Sequence, residues 1–274
     1  MMDQPTKLSL KRLSDYRPPS HLVDEVALTF RLDATRTRVR SRIRFRPNPS
    51  ADPAEGLVLN GKGLVTRSAT IDGVGVDIKA MPAAEEGVMI PADLLPAGPF
   101  VWEADVEINP AANTALEGLY LSGGMFCTQC EAEGFRKITW YPDRPDVMAP
   151  FRVRIESDLP VLLSNGNPVA QGPGWAEWHD PWPKPSYLFA LVAGELVAHR
   201  DRFRTASGRE VELAVWVREG DEGRAGHAMD SLKRAMRWDE DRYGREYDLD
   251  VFNIVAVDDF NMGAMENKGL NIFN

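Results

Sequence analysis

The stretch VALTFRLDATRTRVRSRIRF, residues 26–45, decides the fold class of this chain. Val26, Leu28, Phe30 and Leu32 alternate with smaller or polar residues, the period-2 pattern of a strand with one buried face. Asp33-Ala34-Thr35 is a turn signal, and beyond it Val39, Ser41, Ile43 and Phe45 alternate with Arg38, Arg40, Arg42 and Arg44. Two alternating runs joined by a short polar turn predict an antiparallel hairpin with its arginines facing solvent. The five arginines from Arg38 to Arg46 could also be read as a nucleic-acid stripe. Their strict alternation favours a solvated strand face, because a strand sends every second residue to the same side.

Working outward, the turn dipeptides Asn60-Gly61, Asp72-Gly73 and Asn165-Gly166 punctuate further short strands. Pro142, Pro145, Pro150, Pro181, Pro183 and Pro185 exclude helix around them. The apolar run Tyr187–Ala193 reads as a strand buried on both faces. The chain to about residue 197 is therefore expected to form one β-rich domain. Its character then changes. Arg202–Thr205 and Val211–Val217 flank Gly208 as a second hairpin. Ala225, Ala228, Met229, Leu232, Ala235 and Met236 recur at helical spacing, with Gly244 as the stop. Val251–Val257 reads as a buried strand. A switch from all-β to mixed α/β marks a domain boundary near residue 198. The apolar end Leu270–Asn274 reads as a strand awaiting neighbours, hence as a truncation.

The bulk numbers bound the function. A length of 274 residues favours two domains, and 43% hydrophobic with 27% charged residues is the balance of a globular protein. A net charge of -9 argues against nucleic acid as the main partner, since phosphate binding needs a concentrated basic face. No apolar run suits a leader or a membrane span, so a cytoplasmic protein is expected. Cys127 and Cys130 are the two cysteines and imply no disulfide framework. As Cys-x-x-Cys they could form a redox dithiol or half of a zinc site, but no second ligand pair accompanies them.

The strongest chemical signal is Asn261-Met262-Gly263-Ala264-Met265-Glu266-Asn267-Lys268-Gly269. Gly263 permits close backbone approach, and Glu266 sets a carboxylate beside it that suits an ammonium group. On these grounds alone the segment could equally be a structural polar turn. The five residues Gly263–Asn267 reproduce the GAMEN motif of the zinc aminopeptidases of the aminopeptidase N family, which this chain resembles. Asp180–Gly194 is similar to the family's passage from its first to its second domain. Cys127–Arg136, with Asp143–Asp146 behind it, resembles a third landmark. The likeness runs from about residue 16 to the last residue and is closest to the cytoplasmic bacterial branch.

The resemblance implies that carboxylates hold the free α-amino group of a peptide while zinc polarises its first carbonyl. Glu266 would be one amine anchor, and Glu131 with Gln129 another. Two carboxylates about one ammonium are physically sound, because charge-assisted hydrogen bonds are the strong ones. Gly263 and Ala264 would line the substrate backbone, and Met262 would be a wall of the side-chain pocket unless it is an ordinary core methionine. Met265 and Asn267 complete the substrate-binding set. Such peptidases hold zinc with His-Glu-x-x-His on a helix. His21, His179, His199 and His227 do not have that spacing, so the ligands and the general base are expected beyond Asn274.

The expected architecture is a mainly β N-terminal domain, sandwich or saddle in shape, over residues 1–197. The truncated start of an α+β, thermolysin-like catalytic domain would follow over 198–274. The expected function is that of a monomeric zinc aminopeptidase acting on peptides with a free N-terminus, with no nucleic-acid or membrane partner. The isolated chain would be inactive. The alternative is a non-catalytic β-domain used for binding or scaffolding.

Overall fold

A computed structural model describes residues 12–52 and 54–274; residues 1–11, considered for a leader, lie outside the described residues. The opening hairpin is present. His21–Arg31 pairs antiparallel with Thr37–Pro47, with Phe30 opposite Val39 and Arg31 opposite Arg38. The Asp33 carboxylate closes the turn, accepting the backbone N–H groups of Thr35 and Arg36 at 2.9 Å each. Val39, Ser41, Ile43 and Phe45 are buried, and the arginines between them are exposed.

Four of the arginines on this strand are matched by carboxylates on neighbouring strands. Arg38 and Arg40 meet Asp105 at 2.6 and 3.3 Å, Arg42 meets Glu103 at 3.7 Å and Arg46 meets Asp24 at 2.7 Å. Exposed pairs of this kind are screened by water and salt, so their effect is to cancel charge more than to hold the fold. The hairpin lies in an eight-stranded sheet, where His21–Arg31 also pairs parallel with Met148–Glu156 and Thr37–Pro47 pairs with Phe100–Ile108.

A four-stranded sheet runs in the order Val161–Ser164, Leu191–Gly194, Met125–Gln129, Gly118–Ser122. It shares one apolar core with the large sheet. Phe135 sits where they meet, its ring 5.1 to 6.0 Å from those of Tyr141, Phe151 and Phe189. A three-stranded sheet of Leu57–Asn60, Gly87–Ile90 and Ala83–Ala84 adds Leu59 and Ile90 to the same core.

The run Tyr187–Ala193 is not one strand. Ser186–Leu188 forms a 3₁₀ turn and extended pairing starts only at Leu191. The cause is local: the Phe189 N–H donates to the Ser186 carbonyl, and the Ser186 hydroxyl is held by Asp143 at 2.6 Å. Leu191–Gly194 is buried throughout.

The last part of the chain forms a five-stranded mixed sheet, ordered Val197–Arg204, Glu210–Val217, Val251–Ala256, Leu270–Phe273, Ala264–Met265. The helix Gly226–Tyr243 connects the parallel strands Glu210–Val217 and Val251–Ala256 and ends at Gly244, φ 60°, a left-handed position that glycine adopts without strain. Met229 and Met236 bury against Val211, Leu213 and Val215. Ala228 and Leu232 are half-buried and Ala235 is exposed, so the helix covers its sheet only in part. A groove of 1160 Å³ separates this face of the helix from Val217, Phe252 and Ile254. For the same reason Val251–Ala256 is less buried than its composition suggests. The opposite face, through Ala214, Trp216, Val255 and Ile272, joins the apolar core shared by the other sheets. No helix among the described residues is long and apolar enough to cross a membrane.

Candidate substrate-binding site

Gln129 ends a strand, Met125–Gln129, that is buried at every residue. The chain then doubles back through Glu131–Gly134, and Gly134 makes this possible. A Cβ there would stand 2.5 Å from the Gln129 carbonyl oxygen, closer than any side chain tolerates. The Gly134 N–H donates instead to the Cys130 carbonyl at 2.9 Å. The Glu131–Ala132 peptide bond is cis.

The turn is anchored by a buried ion pair. The Arg136 backbone N–H and Nε both donate to Asp143 Oδ2, at 3.1 and 3.0 Å, and Nη1 donates to Glu86 at 3.0 Å. The side chains of Arg136 and Asp143 are 6% and 1% exposed. Asp143 Oδ1 takes the Ser186 hydroxyl, so a single carboxylate ties together three segments.

The facing wall follows the strand Val251–Ala256. Asp259 is held from three sides: its N–H donates to Ser122 Oγ at 2.8 Å, its carboxylate accepts from Ser122 Oγ at 3.0 Å, and its carbonyl accepts the Tyr120 hydroxyl at 2.9 Å. Asn261 donates from Nδ2 to the Leu116 carbonyl at 3.1 Å. Ala264 and Met265 pair with Phe273 and Ile272, and the Asn274 N–H donates to the Gly263 carbonyl at 3.0 Å. Past the motif, Asn165 Nδ2 donates to the Lys268 carbonyl at 3.0 Å.

These supports bring Gln129 against the motif. Gln129 Nε2 donates to Asn261 Oδ1 at 3.3 Å and to Met262 Sδ at 3.1 Å. The Glu131 N–H reaches Gln129 Oε1 at 3.4 Å. Gln129 is 1% exposed and Met262 is 43% exposed, so Met262 is no core methionine. Glu131 is half-buried and Glu266 exposed. Gly263 is exposed and Ala264 half-buried, whereas Met265 and Asn267 are buried. Met265 therefore packs in the core, and Asn267 Oδ1 is buried without a hydrogen-bond partner.

Sequence reasoning gave no role to Asp259, Ser122 or Tyr120. The one available signal was the Asp258-Asp259 pair between a β-branched strand and the motif. The cysteines are free and fully buried, and burial pushes the Cys127 thiol up to about 12 and Cys130 upward as well. Thiols held protonated in this way are poor nucleophiles and poor metal ligands. Among the described residues no group of three or more His, Cys, Asp or Glu is placed to hold a metal ion.

Residues 16–188 match the Peptidase M1 N-terminal domain and residues 227–274 the Peptidase family M1 domain. The chain belongs to the M1 peptidase family. It is 55% identical to an aminopeptidase N of Caulobacter vibrioides over 271 residues, 96% of this chain and 31% of that protein. It is 52% identical to an aminopeptidase N of Escherichia coli, over 95% of this chain and 30% of that protein. The crystal structure of Legionella pneumophila aminopeptidase A in complex with aspartic acid has a TM-score of 0.89 at 33% identity, covering 96% of this chain and 32% of the other. The chain thus spans about a third of the length of these relatives and corresponds to their N-terminal part.

Proposed function

We propose that this chain is the N-terminal part of a zinc-dependent aminopeptidase that removes N-terminal residues from peptides with a free α-amino group. The observation that carries the reading is the contact of Gln129 with Met262, which joins the β-domain to the head of the GAMEN segment at 3.1 Å. A cradle for an ammonium ion needs acceptors free to turn toward it. Neither the Glu131 nor the Glu266 side chain has an ion-pair partner among the described residues, although most of their acidic neighbours do. In this reading the two carboxylates and Gln129 Oε1 hold the amine, Gly263 and Ala264 run along the substrate backbone, and Met262 forms one wall of the side-chain pocket. A thioether suits a pocket that takes several side chains. Met265 and Asn267 support the segment from beneath. The proposed division into a β-domain over 1–197 and the start of a catalytic domain over 198–274 puts the two anchors on different domains.

The described residues do not fit a zinc site, so no chemical step is assigned to a metal held by them. The zinc ligands and the general base belong to the proposal as residues beyond Asn274. The reading extends to a cytoplasmic monomer. Its reduced cysteines suit that compartment, and a basic face cancelled by Asp105, Glu103 and Asp24 offers little to nucleic acid. The test is cleavage of an N-terminal alanyl reporter by the full-length protein and by the isolated 274-residue chain, with and without a chelator. Chelator-sensitive cleavage by the full-length protein alone is expected. Cleavage by the isolated chain would overturn the assignment of catalytic groups. A full-length protein that binds peptides and cleaves none would be the non-catalytic β-domain protein instead.

A further inference from the structure

We infer that Asn261 is a positioning residue for Gln129, fixing together with the Glu131 N–H which end of the Gln129 amide faces a bound amine. This rests on the reading of Gln129 as part of the amine cradle. An amide side chain has a donor end and an acceptor end of nearly equal size, and only its hydrogen-bond partners determine how it points. Here both ends of the series are backbone groups, whose polarity is fixed. The Leu116 carbonyl can only accept, so Asn261 turns Nδ2 toward it at 3.1 Å. Asn261 Oδ1 is thereby left facing Gln129, where it must receive Nε2 at 3.3 Å. At the far end the Glu131 N–H can only donate, and it meets Gln129 Oε1 at 3.4 Å. The two amides form a polarity relay running from one backbone carbonyl to one backbone N–H.

The relay leaves Gln129 Oε1 on the side of Glu131 with an unused lone pair. An ammonium group has three donors and no acceptor, so an oxygen there adds to the cradle and an NH₂ would repel it. Met262 Sδ also receives Nε2 at 3.1 Å, but a thioether is a weak acceptor on a flexible side chain and could not set the orientation alone. The start of the relay is itself constrained. Leu116 lies at φ 53°, a left-handed conformation that leucine rarely takes, and such conformations persist where the surroundings over-determine them.

The experiment is a double-mutant cycle in the full-length enzyme, reading KM and kcat for an N-terminal alanyl reporter. Asn261→Leu keeps the side-chain size and removes the two relay bonds that Asn261 makes. It is expected to raise KM by about tenfold with kcat within about twofold, as for loss of one charge-assisted bond. Asn261 is exposed, so an unchanged melting temperature is expected and separates this loss from misfolding. Asn261→Asp loses the donor to the Leu116 carbonyl but keeps an oxygen for Gln129 Nε2, and should recover most of the KM lost in Asn261→Leu. The deciding comparison is Asn261→Leu introduced together with Gln129→Leu. If Asn261 acts through Gln129, the double variant is no worse than Gln129→Leu alone. Multiplying effects, or an Asn261→Leu enzyme with unchanged KM, would overturn the relay. Should Gln129→Leu itself leave KM unchanged, it is the reading of Gln129 as an amine anchor that fails.

Discussion

The side chain of Asn165, in the turn after the strand Val161–Ser164, donates to the Lys268 carbonyl at 3.0 Å across 103 residues of sequence. The same amide donates to the Leu188 carbonyl at 3.0 Å, and its oxygen accepts the Ala190 N–H at 2.7 Å. One buried asparagine therefore joins the turn after Val161–Ser164, the segment Leu188–Ala190 and the turn behind Gly263–Asn267. Gly166 beside it is at φ 88°, and a Cβ there would fall 2.2 Å from the His179 carbonyl oxygen.

Asn165→Leu removes three bonds and leaves buried backbone groups unpaired. It should destabilise the chain by at least about 3 kcal/mol, at roughly 1–3 kcal/mol for each of the three orphaned groups. Urea unfolding of the isolated chain, if two-state, gives the value directly. A change under about 0.5 kcal/mol would show that water replaces the amide.

Asp180 and Lys184 form a second buried link, 3.1 Å apart and respectively 0% and 3% exposed, with the ammonium 3.9 Å from the Phe151 ring centroid. Burial lowers Lys184 from 10.5 to about 8. Because the folded value lies below the unfolded one, the unfolded chain binds more protons between about pH 8 and 10.5. Stability should therefore rise with pH across that window, by on the order of 3 kcal/mol at most. Below pH 8 the cost of burying the charge is constant. The check is the difference in unfolding free energy between the parent and Lys184→Met at pH 7.5 and pH 10. It should shift in favour of the parent as pH rises, and a pH-independent difference would contradict the burial argument.

Arg136→Met strands the Asp143 carboxylate in the core. Breaking a buried pair by removing one partner costs about 3–5 kcal/mol. A large fall in melting temperature is expected, and Asp143→Asn in the same chain should recover part of it. Equal melting temperatures for the parent and Arg136→Met would mean that the turn bearing Glu131 is held by other contacts.

If Glu266 receives the substrate amine, Glu266→Ala in the full-length enzyme should raise KM by about tenfold to a hundredfold, the loss of roughly 1.5–3 kcal/mol from one charge-assisted hydrogen bond. N-acetylation of the reporter removes the ammonium itself and should abolish cleavage by the parent. Equal cleavage of acetylated and free peptides would remove the basis for any amine cradle.

The sequence was most legible where the signal is short-range. The hairpin of residues 26–45 could be read because apolar residues, turn and arginines all repeat within a few positions. The resemblance to GAMEN is equally local, resting on five consecutive residues. Tyr187–Ala193 misled because a short apolar run looks the same as a buried strand or as a buried turn. What stayed hidden were the supports that join distant segments. Ser122 and Asp259 are 137 residues apart, and nothing local in either announces a partner. Asn261 was visible as part of the motif, but its role depends on Leu116 and Gln129, 145 and 132 residues away.

The strand Thr37–Pro47 has a further consequence, for the lengths of chain it can accept. Apolar residues and arginines alternate along it with a parity set by the pleat. Inserting one residue near Ser41 would invert that parity for everything beyond, sending Ile43 and Phe45 to water and guanidinium groups into the core. Inserting two would restore it, leaving only a local bulge to absorb. Between Thr37 and Pro47, changes in length by odd numbers should therefore be excluded far more strictly than changes by even numbers.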